Sequence, residues 1–138
     1  MATFRARLRG RNEVPPVRTD ASGTATLTEV FRRTNGRRVD RLRFRLRLFD
    51  IRRVTEAHIH LGRPGENGPV VATLFGPNRR GVTFLDGTVT GTLRDRDLVG
   101  PLRGSTIRRL VREIERGNAY VNVHTRRNPD GEIRGQLR

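Results

Sequence analysis

Arg41-Leu42-Arg43-Phe44-Arg45-Leu46-Arg47-Leu48 alternates without a fault between arginine and an apolar side chain. Successive side chains on a strand point to opposite faces. These residues therefore spell a half-buried β-strand with a wholly cationic outer face. The same period continues on both sides. Upstream, Phe4, Ala6 and Leu8 alternate with Arg5, Arg7 and Arg9. Thr24-Ala25-Thr26-Leu27-Thr28-Glu29-Val30-Phe31 is a threonine-rich strand, followed by the hairpin signal Asn35-Gly36. Between these two, residues 11–17 contain Pro15 and Pro16 and must be a loop, because proline fixes φ and lacks a donor. Ala21-Ser22-Gly23 reads as a turn or bulge.

Downstream, Ala57, Ile59 and Leu61 alternate with Glu56, His58 and His60. A glycine- and proline-rich loop (62–69) leads to an apolar strand at 70–75, which Gly76-Pro77-Asn78 breaks. Val82-Thr83-Phe84-Leu85 and Thr88-Val89-Thr90-Gly91-Thr92-Leu93 read as two strands parted by Asp86-Gly87. The period then changes. Ile107, Leu110, Val111 and Ile114 fall at helical spacing, with Ser105 or Thr106 as N-cap and Gly117 as the stop. Arg108, Arg109, Arg112, Glu113 and Arg116 form the solvent side of that helix. Tyr120-Val121-Asn122-Val123-His124-Thr125 is a further alternating strand. A turn at 128–131 and an apolar-alternating segment at 132–137 close the chain. Eight or so short strands with regular turns predict an all-β single domain over residues 1–138. It is an antiparallel, Greek-key-like β-sandwich or barrel with one short α-helix at about 105–116.

Composition narrows the function classes. The 138 residues carry 29 basic side chains against 14 acidic ones, a net charge of +15, and every basic residue is arginine. Such a field attracts polyanions and says little about fold. The absence of cysteine excludes disulfides, thiolate metal sites and cysteine nucleophiles. The two serines, Ser22 and Ser105, lie far in sequence from any histidine, so nucleophilic catalysis has little support. No apolar run approaches the ~20 residues of a membrane-spanning helix. The segment from Met1 enters a strand pattern without a signal-peptide core, so no export signal is expected in the chain as given.

All three histidines sit on two alternating strands. His58 and His60 share one face of theirs, and His124 shares its face with Tyr120 and Asn122. If the strands are neighbours, about 4.8 Å apart, the three imidazoles converge. Three histidines and an open position suit zinc or copper. The expected site is one copper ion, zinc being second choice, on His58, His60 and His124, with Glu56, Tyr120 and Asn122 supporting it. Such occupancy should fall as pH drops through about 6.5, the ordinary imidazole value. The competing expectation is a neutral hydrogen-bonded histidine network that pins two loops. The loop 62–69 lacks the spacing of a phosphate cradle and is expected to cover the histidine face. The turn at 128–131 lacks the ligand ladder of a calcium loop.

Three groups of segments together resemble the CHRD domain, the repeat described in chordin. They are Asn12-Glu13-Val14-Pro15-Pro16-Val17 with Ala21-Ser22-Gly23; Ala57-His58-Ile59-His60 with Gly62, Pro64, Gly65, Gly68 and Pro69; and residues 117–125 with Asn128-Pro129-Asp130-Gly131-Glu132-Ile133-Arg134-Gly135. The resemblance covers nearly the whole chain. It implies a module that is usually extracellular and has no generally established reaction. A weaker similarity, to copper-zinc superoxide dismutases, rests on the His58/His60 pair and on His124 as the later ligand. It implies a β-barrel and a single metal. The bridging histidine, the zinc-loop ligands and the cysteine pair of those enzymes have no counterparts.

The expected function is a non-enzymatic structural or binding module with a three-histidine metal site. One alternative is a polyanion-binding scaffold with structural histidines, using Arg41, Arg43, Arg45 and Arg47 together with Arg5, Arg7 and Arg9. The other is a metal-dependent redox or hydrolytic enzyme at the same histidines. Sequence-specific nucleic-acid reading is not expected, because the six phenylalanines mostly take apolar positions and offer no stacking platform.

Overall fold

The computed structural model describes residues 2–138; Met1 lies outside the described residues. Seven strands form: β1 (Thr3–Arg9), β2 (Ser22–Thr34), β3 (Arg37–Leu61), β4 (Val70–Phe75), β5 (Val82–Leu93), β6 (Ala119–Thr125) and β7 (Ile133–Gln136). One α-helix, α1 (Ile107–Glu115), joins them among the described residues, with three single-turn 3-10 segments in the connections. Every strand pairing is antiparallel.

β3 is the spine. The arginine strand and the histidine strand are one continuous element of 25 residues. Its first half pairs with β2 and β5 through the same residues, Leu42 to Phe49, so those two neighbours lie on opposite edges. Val54 pairs with Val82 of β5 and with Thr125 of β6, which puts β5 and β6 on opposite edges as well. β4 then takes the edge opposite β6 beside residues 57–60. One edge of β3 thus carries β2 then β6, and the other carries β5 then β4. β1 adds to β2 and β7 adds to β6. β1 and β7 then meet at Arg9 and Arg134, closing β2-β1-β7-β6-β3 into a five-stranded ring. Beyond that pairing, Arg5 and Arg138 exchange backbone hydrogen bonds of 2.9 and 3.0 Å.

Fewer strands form than the turn signals predict, for two local reasons. Asp50 and Arg53 adopt left-handed backbone (φ 50° and 52°), which bends β3 without ending it. The bend keeps its hydrogen bonds: Arg53 N–H donates to Thr83 Oγ1, and Arg126 N–H donates to the Arg53 carbonyl. Asp86-Gly87 is extended chain inside β5, not a break. Gly87 pairs with Leu48 and is covered by the Phe84 ring, as Gly91 is covered by Phe44. An aromatic laid over a strand glycine restores the packing that glycine lacks. Ala21-Ser22-Gly23 likewise leads into β2, where Gly23 pairs with Leu8 and Leu48, instead of turning.

The core follows the alternation. Leu8, Leu27, Leu42, Leu46, Leu48, Ile59, Val121 and Val123 are fully buried. α1 packs Ile107, Leu110, Val111 and Ile114 into the same cluster. Thr106 is the N-cap, accepting from Arg109 N–H at 3.2 Å, and Gly117 follows the helix at φ 74°. Glu113, expected on the solvent side, is buried instead: its carboxylate accepts from Asn118 Nδ2 (2.8 Å) and Arg116 Nη1 (3.3 Å). Phe31 breaks the apolar-inside pattern in the other direction and is half exposed, with Arg38 stacked on its ring.

Leu46→Ala should lower stability by about 2–5 kcal/mol in denaturant unfolding. Gly135→Ala adds one methyl against the Arg7 carbonyl, and should cost roughly 1–3 kcal/mol by overpacking the ring closure. Thr90→Ala, on the outer face, should stay within about 0.5 kcal/mol.

Candidate metal centre

The register of β3 against β6 sets the site. Glu56 faces His124, His58 faces Asn122, and His60 faces Tyr120. The three imidazoles therefore converge. Ring centroids are 4.9 Å apart for His58 and His124, 5.7 Å for His58 and His60, and 6.1 Å for His60 and His124. One nitrogen from each lies within 4.8 Å of the other two. His58 and His60 are buried and His124 is half-buried.

Each ring is oriented by its surroundings. His124 Nδ1 donates to the Pro129 carbonyl at 2.7 Å, and His60 Nδ1 donates to the Gly68 carbonyl at 2.8 Å. Both histidines thus tie down a loop, as the network expectation required, and in neutral rings both leave Nε2 free to accept or to ligate. His58 Nδ1 lies 3.2 Å from His124 Nε2 and donates to it. His58 Nε2 then faces Glu56 Oε1 at 3.6 Å. Tyr120 stacks on His60 with centroids 4.8 Å apart, and its hydroxyl accepts from Gly68 N–H. The loop 62–69 does reach over His60.

Two residues that sequence reasoning left without a role complete the network. Arg134 is fully buried, its guanidinium 3.5 Å from the centre of the Tyr120 ring. It donates to the carbonyls of Arg63 (3.0 Å) and Glu66 (2.6 Å) and to Asn67 Oδ1 (3.1 Å), strapping the loop down. Glu13 is buried beside Asn122. Both residues lie inside the quoted family-like segments, but only the fold reveals a charge buried at each position.

Proton placement follows from counting donors. His60 Nε2 lies 2.8 Å from Asn122 Oδ1 while Nδ1 already donates to an oxygen. A neutral imidazole has one N–H and cannot donate to both. One consistent arrangement has a doubly protonated His60 and a charged Glu13 accepting from Asn122. The other turns the amide: protonated Glu13 donates to the Asn122 oxygen, and the Asn122 NH₂ donates to neutral His60. Burial favours the second. It pushes Glu13 up to about 7 despite the nearby Arg134 charge and Asn122 amide. It also lowers His60. Burial, then the neighbouring His124 and His60, push His58 down to about 4.

The arginines named from sequence lie on the outer faces of β1 and β3; on β1, Arg9 pairs with Arg134, and Arg5 and Arg7 border the same groove as Glu13 and Arg134. Arg5, Arg7, Arg9, Arg43, Arg45 and Arg47 are exposed and Arg41 is half-buried. Register places Arg5–Thr26–Arg45–Thr90 in one row and Arg7–Thr24–Arg47–Thr88 in the next. Arg47 is already paired with Asp86 at 3.2 Å.

The family model of the CHRD domain matches residues 4–137. Over 85 residues, 59% of this chain, the sequence is 34% identical to Chordin of Xenopus laevis, and the match spans 7% of that protein. No solved structure matches.

The opposed shifts of Glu13 and His58 give a signature in pH. The folded His58 ring refuses a proton that the unfolded chain accepts below its ordinary 6.5. Its contribution is complete above about 6.5 and is lost as pH falls toward 4. The folded Glu13 carboxyl keeps a proton up to about 7 that the unfolded chain releases near 4.5. Stability from this group is greatest below 4.5 and is lost as pH rises to 7. Glu13→Gln removes the second loss alone. Relative to the unsubstituted protein it should gain roughly 1–3 kcal/mol between pH 4.5 and 7.5 in urea unfolding, at about 1.4 kcal/mol per pKa unit.

Proposed function

Because the chain belongs to the CHRD domain family, we propose that it is a non-enzymatic binding module that holds one metal ion on His58, His60 and His124. Copper is the first choice and zinc the second. We place the module outside the cell, the usual setting of CHRD domains.

The observation that carries this reading is the 3.2 Å separation of His58 Nδ1 and His124 Nε2. Two nitrogens about 2.0–2.1 Å from one ion at the tetrahedral angle stand roughly 3.3 Å apart. The carbonyls of Pro129 and Gly68 hold the outer nitrogens of His124 and His60, the usual orientation for metal-binding histidines. For His58 to ligate through Nδ1, its proton moves to Nε2, where Glu56 can accept it. His60 must turn from Asn122 toward the other two rings, because ligands of one ion stand closer than the 4.8 Å limit that contains all three nitrogens. The ion would replace the His58–His124 hydrogen bond and supply the charge that draws in an anionic or imidazole-bearing partner.

A second reading rests on the rows of arginine and threonine on the outer face, where Arg5, Arg7, Arg43 and Arg45 have no carboxylate partner among the described residues. This face would hold a polyanion without reading its sequence. Arg47, neutralised by Asp86, contributes least.

Tag-free protein titrated with Cu(II) and Zn(II) in a calorimeter should bind one ion per chain, copper more tightly, with a rise in melting temperature. His124→Ala should cost more affinity than Asn122→Ala, and Glu56→Gln about 10–100-fold. Binding requires deprotonated imidazoles, so affinity should fall on acidification, and burial of His58 lowers that ring's share of the proton competition. Equal binding by the triple alanine variant of the three histidines would refute the site.

For the second reading, heparin and duplex DNA should both bind with steep salt dependence, and Arg41, Arg43 and Arg45 changed together to glutamine should flatten that slope. An unchanged slope places the contact elsewhere.

A further inference from the structure

At the hairpin end of the outer face, four arginines surround one cavity. Arg32, Arg41, Arg43 and Arg94 line a space of about 330 Å³ together with Thr92, Val30 and Val39, and no acid lines it. The register explains the crowding. Arg43 pairs with Thr92, Leu42 pairs with Leu93, and Val30 pairs with Arg41, so Arg94 continues β5 beside Arg41 while Arg32 sits one row along β2. Like charges side by side on a sheet destabilise it.

None of the four takes part in an ion pair among the described residues. The neighbouring acids are committed elsewhere. Asp40 pairs with Arg38, Asp95 accepts from Ile107 N–H, and Asp97 accepts from Arg94 N–H. Glu29 points to the buried face of β2. Among the described residues, Arg41 Nε is sealed from solvent and finds no hydrogen-bond partner. A buried donor without an acceptor costs stability, and more so when it is charged. The charges of Arg94 first, then of Arg32, Arg96 and Arg43, together with partial desolvation, hold the Arg41 guanidinium below its ordinary pKa.

We propose that Arg32, Arg41, Arg43 and Arg94 form a discrete binding site for one tetrahedral oxyanion, a phosphate or sulfate group, free or carried as an ester. A tetrahedral dianion presents enough oxygens to accept from several guanidinium forks at once, which a single carboxylate cannot. Thr92 adds a hydroxyl donor at the rim. The anion would supply the missing acceptor for Arg41 Nε and cancel the repulsion among the four cations. The site deepens the surface reading, on which it rests only for the sign of the charge, and it is independent of the histidines.

The test uses the full chain in chloride buffer at fixed ionic strength, with inorganic phosphate and sulfate replacing chloride. Both should bind with saturation at one per chain in calorimetry and raise the melting temperature above the chloride control. Arg41→Gln should weaken phosphate by about tenfold or more, the loss of one charge-assisted contact, while Arg108→Gln, exposed on α1 and outside the cavity, should leave it within about twofold. In chloride alone, Arg41→Gln should melt no lower than the unsubstituted protein, because it relieves repulsion. A phosphorylated and a sulfated monosaccharide form the remaining arms. Tighter binding than the inorganic ion assigns the group to an ester, and weaker binding assigns it to the free ion. Phosphate no more stabilising than chloride, or equal losses in Arg41→Gln and Arg108→Gln, would overturn the site. Heparin binding that survived such a result would leave the diffuse surface reading standing alone.

Discussion

A strand of 25 residues must find backbone partners along two edges, and β3 does so by changing neighbours partway. Val54 is where the exchange occurs, bonded to β5 on one side and to β6 on the other. Nearly every other placement follows. The arginine half of β3 faces outward beside β2 and β5, and the histidine half lies between β4 and β6. The bend at Asp50 and Arg53 separates the two halves. A charged outer face and a buried histidine cluster therefore coexist on one element without sharing a surface. Closure through β1 and β7 leaves β4 and β5 as the strands outside the ring.

The histidine half carries a large load of buried polar groups. Glu13, His58, His60, Asn122, Glu132 and Arg134 are all buried. Desolvation at such positions is tolerated only when donors and acceptors are matched. Glu132 meets that condition with Thr19, Thr125 and Asn128. Arg134 meets it with loop carbonyls, and through Tyr120 it fixes the plane of His60. Glu13 meets it less fully, since its Oε2 has no partner. The two least satisfied places in this half are that oxygen and the His60–Asn122 contact, and they touch the same side chain. Asn122 is thus the joint through which a change at the histidines would be felt at Glu13.

Much of this was legible in the sequence because period-2 patterning reports burial directly. The alternation at residues 41–48, the histidine face and the helical spacing of Ile107, Leu110, Val111 and Ile114 all correspond to real faces. Strand continuity was not legible. Asp86-Gly87 carries a turn's composition, yet Phe84 and the paired Leu48 keep it extended. The bend at Asp50 and Arg53 lacks the glycine that usually marks one. Arg134 escaped because a charged residue in an alternating strand looks solvent-facing until a loop folds over it, and Glu13 because it lies in a loop, where a charge is ordinary. The convergence of three histidines could be argued in advance. The carbonyls of Gly68 and Pro129 that orient the rings come from loops, whose course no periodicity encodes.

The ends of the described chain lie side by side, since Arg5 and Arg138 are bonded backbone to backbone. That adjacency has a mechanical meaning. β1 and the end of the chain run antiparallel, so a force drawing the two termini apart loads their bonds one after another, like a zipper. It does not load them all at once in shear. The seam that closes the ring would be the first to part under tension, ahead of the long ladder between β2 and β3. Spliced into a loop of a larger protein, the same geometry asks almost nothing of its host, because entry and exit points coincide.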